Sequence, residues 1–223
     1  VQDFFDSIEQ EIDKECSLDF TLSRGEYISA VIMSKVLGYN FVDSAGLIRF
    51  ASNGNLNAEY TNDMVSIELE NLENAVIPGF YGKDVYGKIK TFSRGGSDIT
   101  GSIIARGVKA DVYENWTDVS GFLACDPRIV DNPVSISQLT YAEIRELSYM
   151  GAMVLHTDSI LPAQKGNIPI NIKNTFRPQD EGTLIVPRDK YTPQDLPVTG
   201  IAGKKNFSVI TLEKSMMNTE VGF

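Results

Sequence analysis

Apolar residues recur with helical spacing in the first part of the chain. Phe4, Phe5, Ile8 and Ile12 are separated by acidic residues and predict an amphipathic helix. A second helix is predicted to begin at residues 23–26, because a serine precedes a glutamate by three positions there, as in a capping box. The chain is therefore expected to open with two helices.

Shorter apolar runs predict strands that alternate with helical segments through the middle of the chain. Residues 140–143 form a second capping box and predict a helix through Met150 that ends at Gly151. Residues 63–72 fit a strand or a helix equally well. This alternation predicts an α/β fold with a mainly parallel sheet. Strands are predicted at residues 41–43, 75–80, 111–117, 168–172 and 183–186.

The composition changes near the C-terminal end. Residues 187–197 contain three prolines and several charges and are typical of a linker. Two short strands are predicted beyond it, at Val198 to Ala202 and at Phe207 to Leu212. Too few residues follow the linker for an independent core. We therefore expect one domain over residues 1–186, a linker, and the beginning of a second domain at residues 198–223.

Composition and charge exclude several classes of function. A hydrophobic content of 42% and a charged content of 22% are ordinary for a globular protein. The net charge of −10 argues against nucleic acid and anionic membranes as partners. No apolar run approaches the ~20 residues of a membrane span, and the first residues do not resemble a signal peptide. Cys16 and Cys125 lie far apart, which favours reduced thiols in a cytosolic, cytoplasmic protein.

A polar, glycine-bearing turn at residues 90–98 is the strongest candidate for chemistry. It follows an alternating run and precedes a helical segment, so it predicts a strand, a tight turn and a helix N-terminus, which suits an anionic ligand. Arg94 can bind a carboxylate or phosphate through two parallel hydrogen bonds. Ser97 and Asp98 can take part in binding or can simply cap the helix. A charged substrate is therefore expected at this turn.

Other candidates also have structural alternatives. Glu26 can bind an ammonium group or can be the third residue of the capping box. Thr117, Asp118 and Arg128 can contact a nucleotide, although Asp126-Pro127 is also an ordinary turn. His156 and the methionines near it are expected to pack. The chain has no Walker A loop, no dinucleotide-binding glycine pattern and no HExxH motif.

The motifs together resemble those of aspartate kinases (aspartokinases). Residues 91–98, T-F-S-R-G-G-S-D, closely resemble the family signature T-L-G-R-G-G-S-D. Seven further segments match family motifs in the same order: S-R-G-E at 23–26, V-I-P-G-F-Y-G at 76–82, W-T-D-V-S-G at 116–121, D-P-R at 126–128, G-A-M-V-L-H at 151–156, I-P-I at 168–170 and G-T-L-I at 182–185. The resemblance covers nearly the whole chain.

This resemblance implies a fold and an activity. The fold is the amino acid kinase fold, an αβα sandwich, followed at residue 198 by the beginning of an ACT-like α+β regulatory domain. The activity is transfer of the γ-phosphoryl group of MgATP to the side-chain carboxylate of L-aspartate, the first step of lysine, threonine and methionine biosynthesis. The cofactors are ATP and Mg²⁺, and a homo-oligomer through ACT domains is expected.

The resemblance also assigns roles to particular residues. Glu26 would bind the amino group of aspartate, Arg94 and Ser97 would bind its carboxylates, and the catalytic residue Asp98 would organise the site. Leu123 stands where the family often has an aromatic residue, and Met153 stands where it has a lysine that contacts the nucleotide, so weaker ATP binding is expected. The ATP-binding residues implied are Thr117, Asp118, Leu123, Arg128, Met153 and Val154.

The family's K-F-G-G-S/T loop, whose lysine contacts the moving phosphate, has no counterpart in these 223 residues. The segment alone is therefore expected to be poorly active. A non-catalytic regulatory or assembly subunit of an aspartokinase, which senses an amino acid, is the alternative function. A kinase for carbamate, glutamate or a nucleotide would share the fold, but it would not be expected to carry both the 94–98 and the 116–118 motifs.

Overall fold

The computed structural model describes residues 2–15, 17–149, 155, 157–193 and 198–203. Groups of one or two helices alternate with groups of one to four short strands along the chain. The helices are α1 (Gln2–Glu15), α2 (Leu18–Leu37), α3 (Ser44–Leu47), α4 (Ala58–Leu69), α5 (Gly96–Gly107), α6 (Tyr141–Tyr149) and α7 (Thr157–Lys165). The strands are β1 (Asn40–Phe41), β2 (Ala75–Val76), β3 (Tyr81–Lys83), β4 (Ile89–Thr91), β5 (Tyr113–Thr117), β6 (Phe122–Leu123), β7 (Ser135–Ile136), β8 (Gln138–Thr140), β9 (Ile170–Asn174) and β10 (Thr183–Val186).

Helix α2 begins earlier than the sequence predicts, so the first capping box is wrong. The N-cap is Ser17, whose hydroxyl accepts a hydrogen bond from the Phe20 amide at 3.2 Å. Ser23 lies inside the helix, is fully buried, and donates to the Phe20 carbonyl oxygen at 2.6 Å. The prediction failed because the pattern of a serine and a glutamate three positions later also arises within a helix. Glu26 therefore has no capping role.

The second capping box is confirmed at the start of α6. The Thr140 amide donates to Glu143 Oε2 at 2.8 Å, and the Glu143 amide donates to Thr140 Oγ1 at 3.2 Å. Burial raises the pKa of Glu143, but the hydrogen bonds that its carboxylate accepts from Thr140 and Thr199 outweigh burial and lower the pKa. The proposed stop of this helix at Gly151 lies outside the described residues.

The largest sheet has four strands in the order β5-β9-β10-β8. Strand β5 is parallel to β9, and β10 is parallel to β8, while β9 and β10 are antiparallel. The predicted fold class is thus confirmed, with one antiparallel pair inside the sheet. Alternate residues of β9 enter a core of aliphatic side chains, because successive strand residues face opposite sides. This core includes Leu139, Ile144, Ile160, Ile170, Ile172 and Ile185, each 3% exposed or less.

A second core lies between α4, α5 and the small parallel sheet formed by β1 and β2. Residues 63–72, which fitted either element, fall mostly in helix α4. Helix α5 joins the two cores, because Ala105 packs into the four-stranded sheet's core while Ile99 and Ile103 pack into the second. Helix α5 therefore contributes side chains to both cores, with Ala105, near its end, in the core of the four-stranded sheet.

Strand β4 forms an antiparallel hairpin with β3, with Tyr81 opposite Thr91. The 91–98 turn therefore follows a strand of this hairpin and not a strand of the four-stranded sheet. The reason is local: Asp84 accepts hydrogen bonds from the amides of Tyr86 and Lys88, which closes a tight turn between the two strands. The succession of strand, turn and helix at 89–107 is nevertheless as predicted.

The residues beyond the predicted linker pack against the main domain. Residues 198–203 form no strand, contrary to the strand predicted at Val198 to Ala202. Instead the Ile201 amide donates to the Ala124 carbonyl oxygen at 2.7 Å, and Thr199 Oγ1 donates to Glu143 at 2.7 Å. Residues 204–223 lie outside the described residues, so an ACT-like domain there stays a prediction. Within the described residues, no helix has the length and apolar character needed to cross a membrane.

Candidate active site

The 91–98 turn is shaped by two adjacent glycines. Gly95 is the N-cap of α5 and has a φ of 57°, in the left-handed region that glycine adopts without strain. A Cβ on Gly96 would lie 2.8 Å from the ring of Phe80 and 3.0 Å from Phe92 Cβ. Because Gly95 has no side chain, no side-chain group caps the first amides of the helix. These amides and the helix dipole favour an anion at this place.

The glycine turn is braced by the segment that precedes β3. Phe80 has a φ of 80°, and its amide donates to Thr100 Oγ1 at 3.1 Å. The same hydroxyl donates to the Gly96 carbonyl oxygen at 2.8 Å, while the Phe92 amide donates to the Phe80 carbonyl oxygen at 2.9 Å. The main chain of Phe80 is thus hydrogen-bonded to Phe92 before the glycines and to Thr100 after them. These bonds fix the direction in which α5 begins.

Arg94 and Ser97 are both exposed on this turn. Arg94 lines a cavity of about 630 Å³ together with apolar residues such as Phe92 and Leu161 and charged residues such as Lys90 and Arg106. Ser97 is outside that cavity and lies instead beside Gly79, at which a Cβ would be 3.2 Å from Ser97 Oγ. The two predicted substrate residues therefore belong to one turn, although only Arg94 borders the cavity.

Glu26 is exposed in the middle of α2, and the side chain two residues before it anchors that helix. The Arg24 guanidinium is 6% exposed and lies over the rings of Phe20 and Tyr27, at 4.3 and 4.5 Å from their centroids. Such cation–π contacts stabilise a buried guanidinium. Since α2 also contacts β4 through a hydrogen bond from Thr91 Oγ1 to Asp19 Oδ1 at 2.5 Å, Glu26 is carried on the helix adjacent to the turn.

Asp98 lies in the first turn of α5 but does not cap it, so the capping alternative is wrong. Its carboxylate accepts a hydrogen bond from Asn115 Nδ2 at 2.8 Å, and its carbonyl oxygen accepts one from the Tyr113 hydroxyl at 3.3 Å. Burial, the main effect, raises the pKa of Tyr113 to about 12. Strand β5 thus contacts both polar groups of Asp98.

The loop after β5 carries the predicted nucleotide residues Thr117 and Asp118. The Thr117 carbonyl oxygen accepts a hydrogen bond from the Thr175 amide at 2.8 Å, and Asn174 Nδ2 donates to the Asp118 carbonyl oxygen at 3.4 Å. Asp118 itself is exposed. The loop is therefore held through its main chain, while the exposed Asp118 carboxylate accepts a hydrogen bond from the Thr117 hydroxyl at 3.3 Å.

Ser120 forms the second anchor of this loop. Its hydroxyl donates to Asp180 Oδ2 at 2.6 Å and accepts a hydrogen bond from Asn174 Nδ2 at 2.9 Å. Lys173 Nζ donates to the Asp180 carbonyl oxygen at 2.6 Å and lies 5.6 Å from the ring centroid of Trp116. The segments at 117–121 and 173–180 consequently form one polar unit at the end of the sheet.

Leu123 and Arg128 lie after this loop, in β6 and in the turn that begins at Asp126. Leu123 is 38% exposed in β6, while Arg128 is exposed and pairs with Asp126 at 2.7 Å. The hydrogen bonds from Arg128 hold the pKa of Asp126 at about 2. The Arg128 amide also donates to Asp126 Oδ1 at 2.8 Å, so the ordinary turn predicted at Asp126-Pro127 is present together with the ion pair.

Some predicted residues lie outside the described residues, and some site residues were not predicted. Met153, Val154 and His156 are in the first group. In the second, Asn115 is a polar residue at an inward position of an alternating strand, a signal that could have been found. Asn174, Ser120 and Asp180 had no such signal, since their contacts join segments distant in sequence. The described residues contain no group of three histidine, cysteine or acidic side chains placed to hold a metal ion.

Comparisons with known proteins agree with this architecture. The sequence profile described as the amino acid kinase family matches residues 4–174. Aspartokinase 3 of Bacillus subtilis is 49% identical over 148 residues, which are 66% of this chain and 32% of that protein. The crystal structure of the aspartate kinase of Clostridium acetobutylicum is 51% identical and superposes with a TM-score of 0.88, covering 98% of this chain and 50% of that one.

A more distant aspartokinase structure also matches the chain. Aspartokinase III of E. coli, solved in complex with lysine and aspartate, is 26% identical with a TM-score of 0.69. The match covers 78% of this chain and 42% of that one. The chain thus spans between about a third and a half of the length of these three aspartokinases. The resemblance read from the motifs is confirmed, because proteins named aspartokinase are found in both comparisons.

Proposed function

This chain belongs to the amino acid kinase family, and from that premise we propose that the polypeptide carrying it is an aspartate kinase. It transfers the γ-phosphoryl group of MgATP to the side-chain carboxylate of L-aspartate, giving 4-phospho-L-aspartate. The observation that carries this proposal is the turn at the start of α5, where an exposed arginine stands beside uncapped helix amides. The 51% identity with an aspartate kinase supports it.

The acceptor binds at this turn. Arg94 holds a carboxylate of aspartate through its planar guanidinium, and Ser97 adds a hydroxyl donor next to the free amides. Glu26, which has no capping role in α2, supplies the negative charge for the ammonium group. These residues fit a zwitterion with a second carboxylate, because they offer two anion-binding groups and one cation-binding group.

The nucleotide binds at the loop after β5. Thr117 and Asp118 provide a hydroxyl and a carboxylate beside a main chain fixed by Asn174, and Arg128 provides an exposed cation for the phosphates. Mg²⁺ enters with ATP as part of the substrate, since it is commonly held by phosphates and only one or two carboxylates.

Phosphoryl transfer to a carboxylate brings two anions together, so positioning and charge neutralisation are the main requirements. Arg94 reduces the repulsion on the acceptor side, while Arg128 and Mg²⁺ reduce it on the donor side. Asp98 keeps the first turn of α5 in register with β5 through Asn115. These side chains therefore bind and orient the reactants, and none of them needs to form a covalent intermediate.

The test uses the full-length polypeptide with MgATP, L-aspartate and hydroxylamine, which traps the acyl phosphate as aspartyl hydroxamate. We expect product that depends on both substrates. Arg94→Ala should lower kcat/KM for aspartate by at least about 100-fold, because two charge-assisted hydrogen bonds are lost at about 1.5–3 kcal/mol each. The kcat/KM of Arg94→Lys should lie between those of the wild type and Arg94→Ala, since lysine keeps the positive charge but cannot form two parallel hydrogen bonds with one carboxylate.

Arg145→Ala is the matched control, because Arg145 is an exposed arginine on α6, far along the chain from the turn. Its kinetics should equal those of the wild type. Absence of both hydroxamate and aspartate-dependent ADP release would contradict the proposal. Aspartate binding without either product would instead favour a non-catalytic subunit.

A further inference from the structure

One buried amide links strand β5 to the first turn of α5. Asn115 is 8% exposed, and its Nδ2 lies 2.8 Å from Asp98 Oδ1 and 2.9 Å from the Tyr113 hydroxyl oxygen. The Tyr113 hydroxyl in turn donates to the Asp98 carbonyl oxygen at 3.3 Å. The three residues form a closed set of hydrogen bonds in which both hydrogens of the amide nitrogen are used.

The position of Asn115 would ordinarily take an apolar side chain. In the sheet Asn115 pairs with Ile172 of β9, and Tyr113 pairs with Ile170, and both isoleucines are fully buried. An amide in such surroundings is unfavourable unless its polar atoms are hydrogen-bonded. An apolar residue of the same size would fill the space without needing a partner. What the amide adds is therefore a directed contact with Asp98.

The orientation of the amide follows from its neighbours. Were the amide oxygen to face Asp98, two acceptors would oppose each other, whereas the nitrogen forms a charge-assisted hydrogen bond with the carboxylate. That bond occupies Oδ1 and fixes the plane of the carboxylate. The orientation of Asp98 is consequently set by the strand and does not depend on the helix alone.

The contact joins the two halves of the proposed active site. Asp98 follows Ser97 directly on the acceptor turn, and Asn115 precedes Thr117 by two residues on the strand that leads into the nucleotide loop. The hydrogen bond from the Tyr113 hydroxyl to the Asp98 carbonyl oxygen is a second link between the same strand and the same helix turn. Transfer between two bound substrates is highly sensitive to their relative placement.

We propose that Asn115 is a positioning residue: its amide orients the Asp98 carboxylate and thereby sets the distance between the acceptor turn and the nucleotide loop. This inference rests on the proposed function, since the placement concerns the two substrates named there. Asn115 touches neither substrate, so its effect should appear in kcat and not in the KM of ATP or aspartate.

The first variant is Asn115→Leu in the full-length polypeptide, because leucine has a similar size and cannot hydrogen-bond. We expect kcat for hydroxamate formation to fall by about 10- to 100-fold, the range expected for small misplacement. Both KM values should stay within about twofold. The melting temperature should fall, because the Asp98 carboxylate loses its amide donor, so the comparison of kcat with KM and not stability is the readout. Asn171→Leu in β9 is the control, because Asn171 Oδ1 has no hydrogen-bond partner among the described residues.

The second variant, Asn115→Asp, distinguishes orientation from packing. A second carboxylate beside Asp98 raises the pKa of the pair, and protonation of one member restores a donor between them. The ratio of variant kcat to wild-type kcat should therefore rise as pH is lowered from 8 toward 6. A packing defect would leave this ratio flat. If Asn115→Leu fails to fold, this pH dependence still decides the proposal.

The outcomes separate the two proposals. A wild-type polypeptide that makes no hydroxamate contradicts the proposed function. An active wild type with full kcat in Asn115→Leu, or with a flat ratio in Asn115→Asp, overturns the role of Asn115 alone. A fall in kcat that is matched by Asn171→Leu also overturns it, because the effect would then come from the sheet in general.

Discussion

The Tyr113 hydroxyl occupies the space that a side chain on Gly101 would need. A Cβ at Gly101 would lie 2.6 Å from the Tyr113 hydroxyl oxygen and 2.7 Å from its ring. Gly101 is in the second turn of α5, one turn after Asp98, whose carbonyl oxygen accepts the hydrogen bond from the same hydroxyl. The close approach of α5 to β5, and so the geometry of the acceptor turn, depends on the absence of a side chain at residue 101.

Gly101→Ala should therefore destabilise the protein. The added methyl group must displace the Tyr113 ring or move α5, and overpacking of this kind costs about 1–3 kcal/mol of unfolding free energy. Chemical denaturation of the full-length polypeptide, compared with the wild type, measures the change.

Gly25→Ala is the matched control for this prediction. Gly25 lies inside α2, and a Cβ there would meet nothing within 4 Å. Alanine should raise the unfolding free energy by about 0.5–1 kcal/mol, because it has the higher helix propensity. Equal effects of the two substitutions would show that the Tyr113 contact does not limit the packing of α5.

Asp180→Ala should weaken ATP binding without changing aspartate binding. Asp180 accepts the 2.6 Å hydrogen bond from Ser120, which holds the 117–121 loop on the end of the sheet. Loss of a charged hydrogen-bond partner costs about 1.5–3 kcal/mol, and part of this appears as a looser loop. We expect the KM of ATP to rise about 3- to 10-fold, on a scale of tenfold for each 1.4 kcal/mol.

Steady-state kinetics with each substrate varied in turn measures this effect. Asp189→Ala is a suitable control, because Asp189 is exposed in the short 3₁₀ helix Arg188–Lys190. An equal rise in the KM of aspartate would mean that Asp180 supports the domain in general and has no particular role in the nucleotide loop.

Tyr113 should make stability fall at alkaline pH. Burial raises its pKa to about 12, so between about pH 10 and 12 the unfolded chain loses the phenol proton while the folded protein keeps it. Stability from this group is thus fully present below pH 10 and is lost as the pH rises toward 12. Burial also raises the pKa values of Tyr81 and Tyr141, which act in the same direction.

Tyr113→Phe isolates the contribution of Tyr113. The variant should show a shallower decline of unfolding free energy between pH 10 and 12, by at most about 2–3 kcal/mol, since one pKa unit corresponds to about 1.4 kcal/mol. Urea denaturation at a series of pH values gives the two curves. Parallel curves would mean that the Tyr113 phenol titrates alike in the folded and unfolded states.

Local patterns predicted more of the fold than of the site. The capping box at 140–143 correctly predicted the start of α6, and the alternation at 111–117 correctly predicted β5. Both patterns depend only on residues a few positions apart. The same kind of pattern gave a wrong helix start at Ser23, because the N-cap of this helix is Ser17, six residues earlier. The face of α2 that is buried is the one on which Arg24 packs against three aromatic rings. One of these rings is Tyr81, which is distant in sequence, so no local pattern indicates the contact.

The site was predictable where a motif is contiguous and not where distant segments meet. Arg94, Ser97 and Asp98 lie on one turn, so their sequence already places them together. The anchors Asn174 and Asp180 reach the 117–121 loop only because β5 and β9 are adjacent and parallel. Sheet order depends on the packing of whole elements, and spacing along the chain does not reveal it.

The ion pair between Asp126 and Arg128 leads to a prediction about nucleotide binding. Arg128 is almost fully exposed and lies 2.7 Å from Asp126, whose pKa of about 2 keeps it ionised at every working pH. For Arg128 to contact phosphates it must leave this partner, so Asp126 competes with ATP. Asp126→Asn should lower the KM of ATP about two- to threefold, consistent with the small energies of exposed pairs.

Asparagine suits this test because its side-chain oxygen can still accept the hydrogen bond from the Arg128 amide, so the turn is retained. The benefit should shrink as salt is raised from 0.05 to 0.5 M, because screening weakens the competing ion pair in the wild type. It should not vary between pH 6 and 8, since Asp126 stays ionised throughout. Asp126→Asn combined with Arg128→Ala should bind ATP no better than Arg128→Ala alone; an improvement there would show that Asp126 repels the phosphates directly and does not act through Arg128.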